Sequence, residues 1–464
     1  MENILPDPNE IRAMEARGFV FSEDKKMLYR APHTDLVVIP RGVEVIGRDA
    51  FYRHYGLEKV VIPDTVTEIR DRAFTRCENL QELVLSDGLK KIGRSAFRDC
   101  LKLTKIVIPS SVTEMQESAF GGCSALSEVI SGTGLTKISS KVFSYCVNLP
   151  EIVIPPNVTA IEDDAFKDCK NLSRIVIPPG VTEIGKSAFG GCSKLSCFVI
   201  PENISKIGGN AFRGIPEVIG NTKFQLHKDG LLIDVERNSI ISTTKALPEY
   251  YSIPDGISEI GDHAFCGLQS TKVVIPDSVL QIGAGAFENS ALAEVVIPDS
   301  VLQIGAGAFE NSKLIEVTIP GSITEIKERT FAECGELKKA VIPAGVLKIG
   351  KNAFWSCGGL PCVFIPETVT EIEGYAFCCC HGLREIIIPD SVKKIGESAF
   401  QNCKNLTRAI ISDGVTEIGD SAFYICEKLK KASIPGSVKK IGKFAFEKTV
   451  CEEQLKQNYP HLFE

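Results

Sequence analysis

A phenylalanine, in most cases preceded by alanine, recurs along this 464-residue chain at a nearly constant interval. The interval is 23 residues over most of the chain, shortens to 22 for three steps, and is broken by one gap of 53. The seventeen phenylalanines are Phe51, Phe74, Phe97, Phe120, Phe143, Phe166, Phe189, Phe212, Phe265, Phe287, Phe309, Phe331, Phe354, Phe377, Phe400, Phe423 and Phe446. Such a period indicates a solenoid, in which each repeat buries its apolar face only against its neighbours. We therefore expect function on a surface and not in a pocket.

The segment Glu58–Cys77, EKVVIPDTVTEIRDRAFTRC, illustrates one repeat. Alternating apolar residues predict a short strand that ends at Pro63, because proline cannot donate to a strand ladder. A second extended segment follows, and the residues around Phe74 are spaced as in one helical turn. The predicted inward side chains are Val60, Ile62, Val66, Ile69, Ala73, Phe74, Cys77 and Leu80. Stacking in register turns each of these positions into a row along a continuous core.

The repeat resembles that of the BspA-like branch of the leucine-rich repeats, whose unit reads approximately LxxVxIPxSVTxIGxxAFxxC. The match is close in Leu80–Cys100, Leu172–Cys192, Leu383–Cys403 and Leu406–Cys426 and extends over most of the chain. The predicted fold is a β-rich solenoid of the leucine-rich-repeat type. Its stacked coils carry parallel β-strands and a short helical turn per repeat, and they form a slightly curved rod. Fold and function are separate questions.

The 53-residue gap divides the predicted solenoid into two arrays. It contains a predicted hairpin around Lys228-Asp229-Gly230, and a similar passage beginning at Phe19 precedes the first array. We interpret both passages as caps that shield the open edge of a first coil. The expected organisation is an N-terminal cap at 1–35, a first array of eight coils at 36–214, a joint with a second cap at 215–250, a second array of nine coils at 251–449 and a C-terminal cap at 450–464.

The charge balance limits the classes of partner. A net charge of −7 and a pI near 5.6 argue against nucleic acid, because phosphate binding needs a basic face. The first residues, MENILPDPNEIRAMEAR, lack the basic start and apolar run of a secretory signal, and no apolar stretch is long enough to predict membrane insertion. We expect a cytoplasmic chain, or a cell-surface chain if an export signal is missing from this sequence.

Eleven of the seventeen cysteines occupy one position, three residues after the phenylalanine. They are Cys77, Cys100, Cys123, Cys146, Cys169, Cys192, Cys334, Cys357, Cys380, Cys403 and Cys426. Stacking would bring neighbours within range of a disulfide, but free cysteine also packs as a small buried hydrophobe. We predict a reduced packing spine, because the expected compartment is reducing.

The remaining reactive residues predict no chemistry. The run Cys378-Cys379-Cys380-His381 lacks the second ligand pair of a zinc site. We interpret it as structural, with Cys378 and Cys379 as exposed thiols. The six histidines fall in no metal or nucleophile motif, no phosphate loop or nucleophile elbow is present, and no carboxylate pair stands apart from the repeat. The chain is therefore predicted to be non-enzymatic, without a metal or other cofactor.

Charges alternate at the position six residues before the phenylalanine. The residues are Glu68, Lys91, Glu114, Lys137, Ala160, Glu183 and Lys206 in the first array and Glu325, Lys348, Glu371, Lys394, Glu417 and Lys440 in the second. Adjacent coils would place opposite charges side by side, each pair worth about 0.2–1 kcal/mol. We predict that this row fixes the register on a solvated face and neutralises itself.

The outward position of the first strand is apolar where a half-buried strand would normally be polar. The residues are Val61, Val84, Val107, Ile130, Val153, Val176, Val199, Val341, Phe364, Ile387 and Ile410. One interpretation is β-propensity on a crowded sheet, and the other is a long apolar stripe that binds a partner. A polar rim runs beside it, formed by Lys59, Glu82, Lys105, Glu128, Glu151 and Arg174.

These observations lead to a non-catalytic interaction protein that binds one or more protein partners through its strand face. Affinity would come from the stripe and specificity from the flanking charges. The resemblance to the BspA-like family implies a second version, a cell-surface adhesin for host or matrix proteins. A third is a purely structural spacer. The oligomeric state and the identity of the partner stay open.

Overall fold

The computed structural model describes residues 7–463 and divides into two units. Unit 1 extends to Lys228 and includes Ser242–Lys245. Unit 2 comprises Asp229–Ile241 and the residues from Ala246 onward. The division falls in the 53-residue gap between the phenylalanines, where the repeat is interrupted. Each unit is a stack of coils, and each coil has a long strand, a short strand and a turn region around its phenylalanine.

The long strands have three or four residues and pair in parallel with those of neighbouring coils in groups of two or three. Lys59–Val61 pairs with Glu82–Val84 one repeat later, residue for residue. In unit 1 the long strands are Leu36–Val38, Lys59–Val61, Glu82–Val84, Lys105–Ile108, Glu128–Ser131, Glu151–Val153, Arg174–Val176, Cys197–Val199 and Glu217–Ile219. In unit 2 they are Tyr250–Ser252, Lys272–Val274, Glu294–Val296, Glu316–Thr318, Lys339–Val341, Glu385–Ile388, Arg408–Ile411 and Lys431–Ser433. Residues 361–366 occupy the corresponding place before Phe377 without strand pairing.

The short strands have two residues and form a second set of parallel ladders, which is interrupted between Glu114–Met115 and Lys137–Ile138 and between Gln303–Ile304 and Glu325–Ile326. In unit 1 they are Val45–Ile46, Glu68–Ile69, Lys91–Ile92, Glu114–Met115, Lys137–Ile138, Ala160–Ile161, Glu183–Ile184 and Lys206–Ile207. In unit 2 they are Glu259–Ile260, Gln281–Ile282, Gln303–Ile304, Glu325–Ile326, Lys348–Ile349, Glu371–Ile372, Lys394–Ile395, Glu417–Ile418 and Lys440–Ile441. A proline-containing turn separates the long strand from the short strand in most coils, as the missing N–H of proline predicts.

The turn region around each phenylalanine is built from left-handed residues. In all seventeen coils of residues 7–463 the residues two before and two after the phenylalanine have positive φ; Arg72 and Arg76 around Phe74 have φ of 57° and 60°. This alternation directs every second N–H toward the next coil: Arg72, Phe74 and Arg76 donate to the carbonyls of Arg94, Ala96 and Arg98 at 2.7–2.8 Å. The turns are therefore a third ladder between coils.

The turn region refines the predicted helical turn. Hydrogen bonds within it join residues three apart, such as the N–H of Cys77 and the carbonyl of Phe74 at 3.1 Å. The left-handed residues prevent the backbone from continuing as an α-helix, because a right-handed helix needs negative φ throughout. The helices of the described residues lie near the chain termini instead, at Pro8–Ala16, Glu452–Asn458 and, as a 3₁₀-helix, Pro460–Leu462.

The core is the ring of inward residues that the repeat predicts. The eight predicted positions of the sample coil, from Val60 to Leu80, are all at most 2% exposed. The phenylalanines stack on one another with ring centroids 4.6–6.1 Å apart within unit 1 and 5.1–5.5 Å apart within unit 2. The parallel-strand solenoid fold predicted from the sequence is confirmed.

Each array begins against a strand that continues the short-strand ladder. In unit 1, Val20–Phe21 pairs antiparallel with Met27–Arg30, which pairs in parallel with Val45–Ile46. In unit 2, Ser239 and Ile240 occupy the same place beside Glu259 and Ile260. The predicted turn around Lys228-Asp229-Gly230 lies between the strands Phe224–Leu226 and Leu231–Asp234. These strands satisfy the backbone groups of the first coil on this side.

Ile425 is the β-branched residue among the left-handed positions of residues 7–463, with φ of 59°. A β-branched side chain is strained in this region, whereas asparagine occupies it readily, as Asn289, Asn311 and Asn402 do in other coils. We expect Ile425→Asn to raise the free energy of unfolding of the full chain by about 1 kcal/mol, measured as a higher thermal midpoint. Ile425→Val keeps the branching and is the control. Equal midpoints for the two variants would contradict the strain.

Candidate protein-interaction surface

The outward side chains of the long strands lie opposite one another in consecutive coils. Val61 is paired with Val84, and Val153 with Val176. The residues on either side of most outward residues, such as Val60 and Ile62, lie in the core, while Val129 and Ser131 beside Ile130 are half-buried. Alternation along a strand therefore points this row away from the protein. We call the row of outward residues the apolar stripe.

The eleven residues predicted for the stripe all occupy this position. Nine of them are exposed, reaching 64% for Val153 and 73% for Phe364, while Val61 and Ile410 are half-buried. Four more exposed residues share the position and were missed from the sequence: Val38, Ile219, Val274 and Val296. Three of these stand two residues before a proline, as Val61 does, so the sequence contained their signal. Ile219 has no such signal, because no proline stands two residues after it and no phenylalanine stands 13 residues after it, as Phe74 does after Val61.

The two units carry the stripe differently. In unit 1 it crosses the nine long strands from Val38 to Ile219 without a polar residue, a distance of about 40 Å at the usual strand spacing. In unit 2, Thr318 interrupts it and Ser433 ends it. Beside Thr318 the strands Glu294–Val296 and Glu316–Thr318 border a shallow groove of about 500 Å³. The longest continuous apolar surface of this kind therefore belongs to unit 1.

The polar rim beside the stripe is occupied by ion pairs between neighbouring coils. Lys105 lies 2.8 Å from Glu128, and the other pairs of the rim follow the same pattern. They are Lys59 with Glu82 and Glu151 with Arg174 in unit 1, and Lys272 with Glu294, Glu316 with Lys339 and Glu385 with Arg408 in unit 2. These side chains are largely exposed, and such pairs contribute between about 0 and 1 kcal/mol each. The rim charges thus neutralise one another across the coils.

The alternating charges of the short strands are also neighbours, as predicted. Lys394 stands between Glu371 and Glu417, and its amino group is 3.1 Å from the Glu417 carboxylate. Hydrogen bonding to Lys394, with Lys440 also nearby, lowers the pKa of Glu417. Lys137 differs, because its neighbour in the row is the uncharged Ala160. It turns to Glu162 instead, at 2.7 Å.

Comparison with known proteins identifies the repeat. A family model described as BspA type leucine rich repeat region, with six copies, matches residues 44–173, 136–225, 245–361 and 352–458. The chain belongs to this BspA-type leucine-rich-repeat family. Proteins of the family are repeat scaffolds that commonly act in protein interaction or at surfaces, and they are typically non-catalytic.

Solved structures of other repeat proteins match the BspA-type chain along much of its length. A leucine rich cell surface protein from Faecalibacterium prausnitzii A2-165 is 27% identical, with 85% of this chain and 92% of that chain covered and a TM-score of 0.42. A leucine-rich repeat protein of T. pallidum is 28% identical over 39% of this chain and 88% of that chain, with a TM-score of 0.36. The pneumococcal vaccine antigen PcpA is 18% identical over 97% of both chains, with a TM-score of 0.39. A comparison with curated proteins finds no match.

The helices of this BspA-type chain are short. Within residues 7–463 the longest, Pro8–Ala16, has nine residues, and none of the helices there could cross a membrane.

The cysteine spine is completely buried, and its thiols have a common partner. The Sγ of Cys77 donates to the carbonyl of Phe51 in the preceding coil at 3.1 Å, and the ten other spine thiols donate to the equivalent carbonyl at 3.1–3.4 Å. Burial raises the pKa of Cys77, Cys192 and Cys380 to about 12. These thiols therefore stay neutral, and a neutral thiol is a poor nucleophile and metal ligand.

Two thiols of the run Cys378-Cys379-Cys380-His381 are less exposed than predicted. Cys378 is only 4% exposed and Cys379 is half-buried, whereas both were expected to be exposed. Cys378 follows Phe377 directly, and its thiol lies against the Trp355 side chain of the preceding coil. Cys380 belongs to the spine, and His381 Nδ1 lies 3.0 Å from the carbonyl oxygen of Asn402. The sulfurs of Cys378 and Cys379 are 3.6 Å apart, and the side-chain amide of Asn402 donates to Cys379 at 3.4 Å.

Another group of potential ligands was missed from the sequence. His263, Cys266 and Glu288 place one ligand atom each within 4.8 Å of the other two. His263 and Cys266 flank Phe265, but Glu288 lies one coil later, so the three are not contiguous. The available signal was the coil period itself, because Glu288 follows Cys266 by one 22-residue step.

We expect thiol reactivity to separate the spine from the surface. A small alkylating reagent added to the native chain should modify thiols outside the core, such as Cys362 and Cys379, and spare the eleven spine thiols, because their burial keeps the reagent away from them. Mass spectrometry of the peptides measures this. In denaturant without reductant the spine thiols should all react; reaction of fewer than about half would contradict a reduced spine.

Proposed function

We propose that this chain is a non-catalytic scaffold that binds a protein partner through the apolar stripe of unit 1. The observation that carries the proposal is the continuity of that stripe, nine outward apolar residues from Val38 to Ile219. A contiguous exposed apolar surface is typical of interaction sites. The stripe residues of unit 2 extend the same proposal to a smaller second surface.

The serine-bearing strands argue against β-propensity as the sole reason for the stripe. Tyr250–Ser252 and Lys431–Ser433 are long strands with serine at the outward position, and both pair in parallel with a neighbouring strand. Serine has no particular preference for strands, so the backbone pairing does not require a valine or isoleucine there. The apolar residues of unit 1 are therefore more than the fold demands.

The physical chemistry of the stripe suits binding. Valine and isoleucine have restricted χ1 angles, and the strands on which they stand are fixed by the core. Burying them under a partner consequently costs little side-chain entropy. Complete burial of such a side chain contributes about 1.5–3 kcal/mol, and half of that surface is already covered here. Several adjacent residues are needed for a stable complex.

Because the flanking charges of the rim pair with one another, we propose that they contribute less to specificity than the sequence suggested. A partner with a strongly charged face would have to separate pairs such as Lys105 and Glu128. The rim therefore favours a partner whose contacting surface is apolar and close to neutral, and it disfavours strongly acidic or basic ones. In this proposal the rim contributes to specificity mainly by excluding strongly charged partners.

The stripe can be tested at its centre. Val107→Ser, Ile130→Ser and Val153→Ser together should weaken partner binding by about a hundredfold, because each removes roughly 1 kcal/mol of apolar contact. The assay is affinity capture on the immobilised full chain from the native cell lysate, quantified by mass spectrometry, followed by titration of the captured protein.

The matched control removes apolar surface from the turn side of the same coils. Leu101 and Tyr145 are 41% and 52% exposed there, and Leu101→Ser with Tyr145→Ser should leave capture unchanged. Thermal midpoints check that both variants fold. Equal capture by the parent, the stripe variant and the control variant would refute the stripe as the binding surface.

We also propose that the chain works in the cytoplasm. The support is the spine of eleven buried thiols hydrogen-bonded through their protons, an arrangement suited to a reducing compartment. Labelling of intact native cells with a membrane-impermeant amine reagent should leave the chain unmodified, while lysed cells should yield modified chain. Modification on intact cells would instead support the adhesin version, in which the stripe faces a partner outside the cell.

A further inference from the structure

We propose that His263, Cys266 and Glu288 form a binding site for Zn²⁺ in unit 2. One ligand atom of each residue lies within 4.8 Å of the others. The side chains of His263 and Glu288 are 24% and 26% exposed, and Cys266 is half-buried. The site lies at the surface of the turn region, away from the apolar stripe. It is independent of the proposed scaffold function.

Backbone hydrogen bonds between two coils hold the three residues in place. The N–H of His263 donates to the carbonyl of Ala284 at 2.8 Å, and the N–H of Gly267 donates to that of Glu288 at 2.7 Å. These bonds place the turn that carries His263 and Cys266 directly against the turn that carries Glu288. The ligands therefore come from rigid neighbouring coils, which a metal would join.

Gly285 makes room for the imidazole ring. A Cβ atom at this position would lie 2.2 Å from Nδ1 of His263, closer than real contacts allow, and 3.0 Å from Oε2 of Glu288, a tight contact. Residue 285 is two before its phenylalanine, where most other coils have a larger side chain such as Arg72 or Asn352. The glycine at this point therefore allows the imidazole ring to lie against its backbone, beside Glu288. This observation is separate from the distances among the ligands.

The donor set selects the kind of metal. An imidazole nitrogen, a thiolate sulfur and a carboxylate oxygen are the three ligand types that Zn²⁺ takes in proteins. Mg²⁺ and Ca²⁺ need oxygen ligands and would not use the thiol. In a tetrahedral zinc site with bonds of about 2.0–2.3 Å, ligand atoms lie roughly 3.3–3.8 Å apart. Side-chain rotations that move the ligand atoms by about 1 Å would therefore bring them to these distances. Water completes the fourth position.

Binding exchanges protons for the metal. Nδ1 of His263 and Oε2 of Glu288 are 3.0 Å apart, a hydrogen-bond distance. Zn²⁺ takes a ring nitrogen that carries no proton and replaces the proton of the Cys266 thiol, which is released to water. Affinity should accordingly fall as the pH is lowered. The linked coils are the first two phenylalanine-bearing coils of unit 2, and a metal there would oppose fraying at that end of the stack.

The test uses the full chain, reduced and freed of metal with a chelator, and Co²⁺ as the spectroscopic probe. Titration should produce a sulfur-to-cobalt charge-transfer band and visible bands of tetrahedral Co²⁺ that saturate at one ion per chain and disappear when Zn²⁺ is added. Zn²⁺ should also raise the thermal midpoint, because it binds only the folded chain. No saturation at one ion per chain, or a spectrum without the charge-transfer band, would overturn the site.

Variants locate the site. Cys266→Ser should abolish the charge-transfer band. Glu288→Gln should weaken Co²⁺ binding by at least roughly 10- to 100-fold, which is the loss of affinity seen when a group that only supports a metal ligand is removed. Glu310→Gln changes the same position of the following coil, which repeats the sequence around Glu288, and Cys379→Ser removes another half-buried thiol. Both controls should bind Co²⁺ as the parent does. Retention of the band in Cys266→Ser, or its loss in Cys379→Ser, would refute the assignment.

Discussion

Hydrogen bonds between coils on three sides impose the translation on which everything else in this molecule depends. Turns donate to the next coil, short strands donate to the preceding coil, and long strands are hydrogen-bonded to one another in groups of two or three. All three sides must therefore advance by the same step. Positive φ two residues before and two residues after each repeat phenylalanine is the local requirement for this, because it turns alternate N–H groups of the turn along the stack. Backbone N–H and C=O groups are hydrogen-bonded between coils, so the faces of the solenoid differ mainly in their side chains.

The repeat explains why so much of the fold could be predicted. Because the step from coil to coil is constant, each inward position of the repeat forms a row along the core. Apolar residues at fixed positions of the repeat therefore identify the core from the sequence alone. The same logic placed the cysteine spine and the charges of the short strands. It left the backbone of the turn less defined, because the spacing of Ala73, Phe74 and Cys77 fits a helical turn as well as consecutive tight turns. Only the backbone angles separate the two.

The candidate sites were predictable to different degrees. The stripe followed from alternation along the strand, although Ile219 escaped because its coil lacks a phenylalanine. The ion-pair partner of an individual side chain could not be predicted from the repeat pattern. Lys137 reaches Glu162 where its row offers alanine, and the rim charges pair with one another, so they are less available to a partner. Such choices depend on distances of a few ångströms between coils, which a sequence period does not encode.

The duplicated segments Val273–Ser290 and Val295–Ser312 show how a stacked protein acquires chemistry. Their sequences are identical, yet Glu288 in the first lies beside His263, while Glu310 in the second makes a two-pronged ion pair with Arg329. The properties of a residue here belong to the interface between two coils and are not contained in either coil. Duplication of a coil consequently reproduces its residues but places them next to a different neighbouring coil. A tandem duplication can therefore create a new site or erase an old one without substituting a single amino acid.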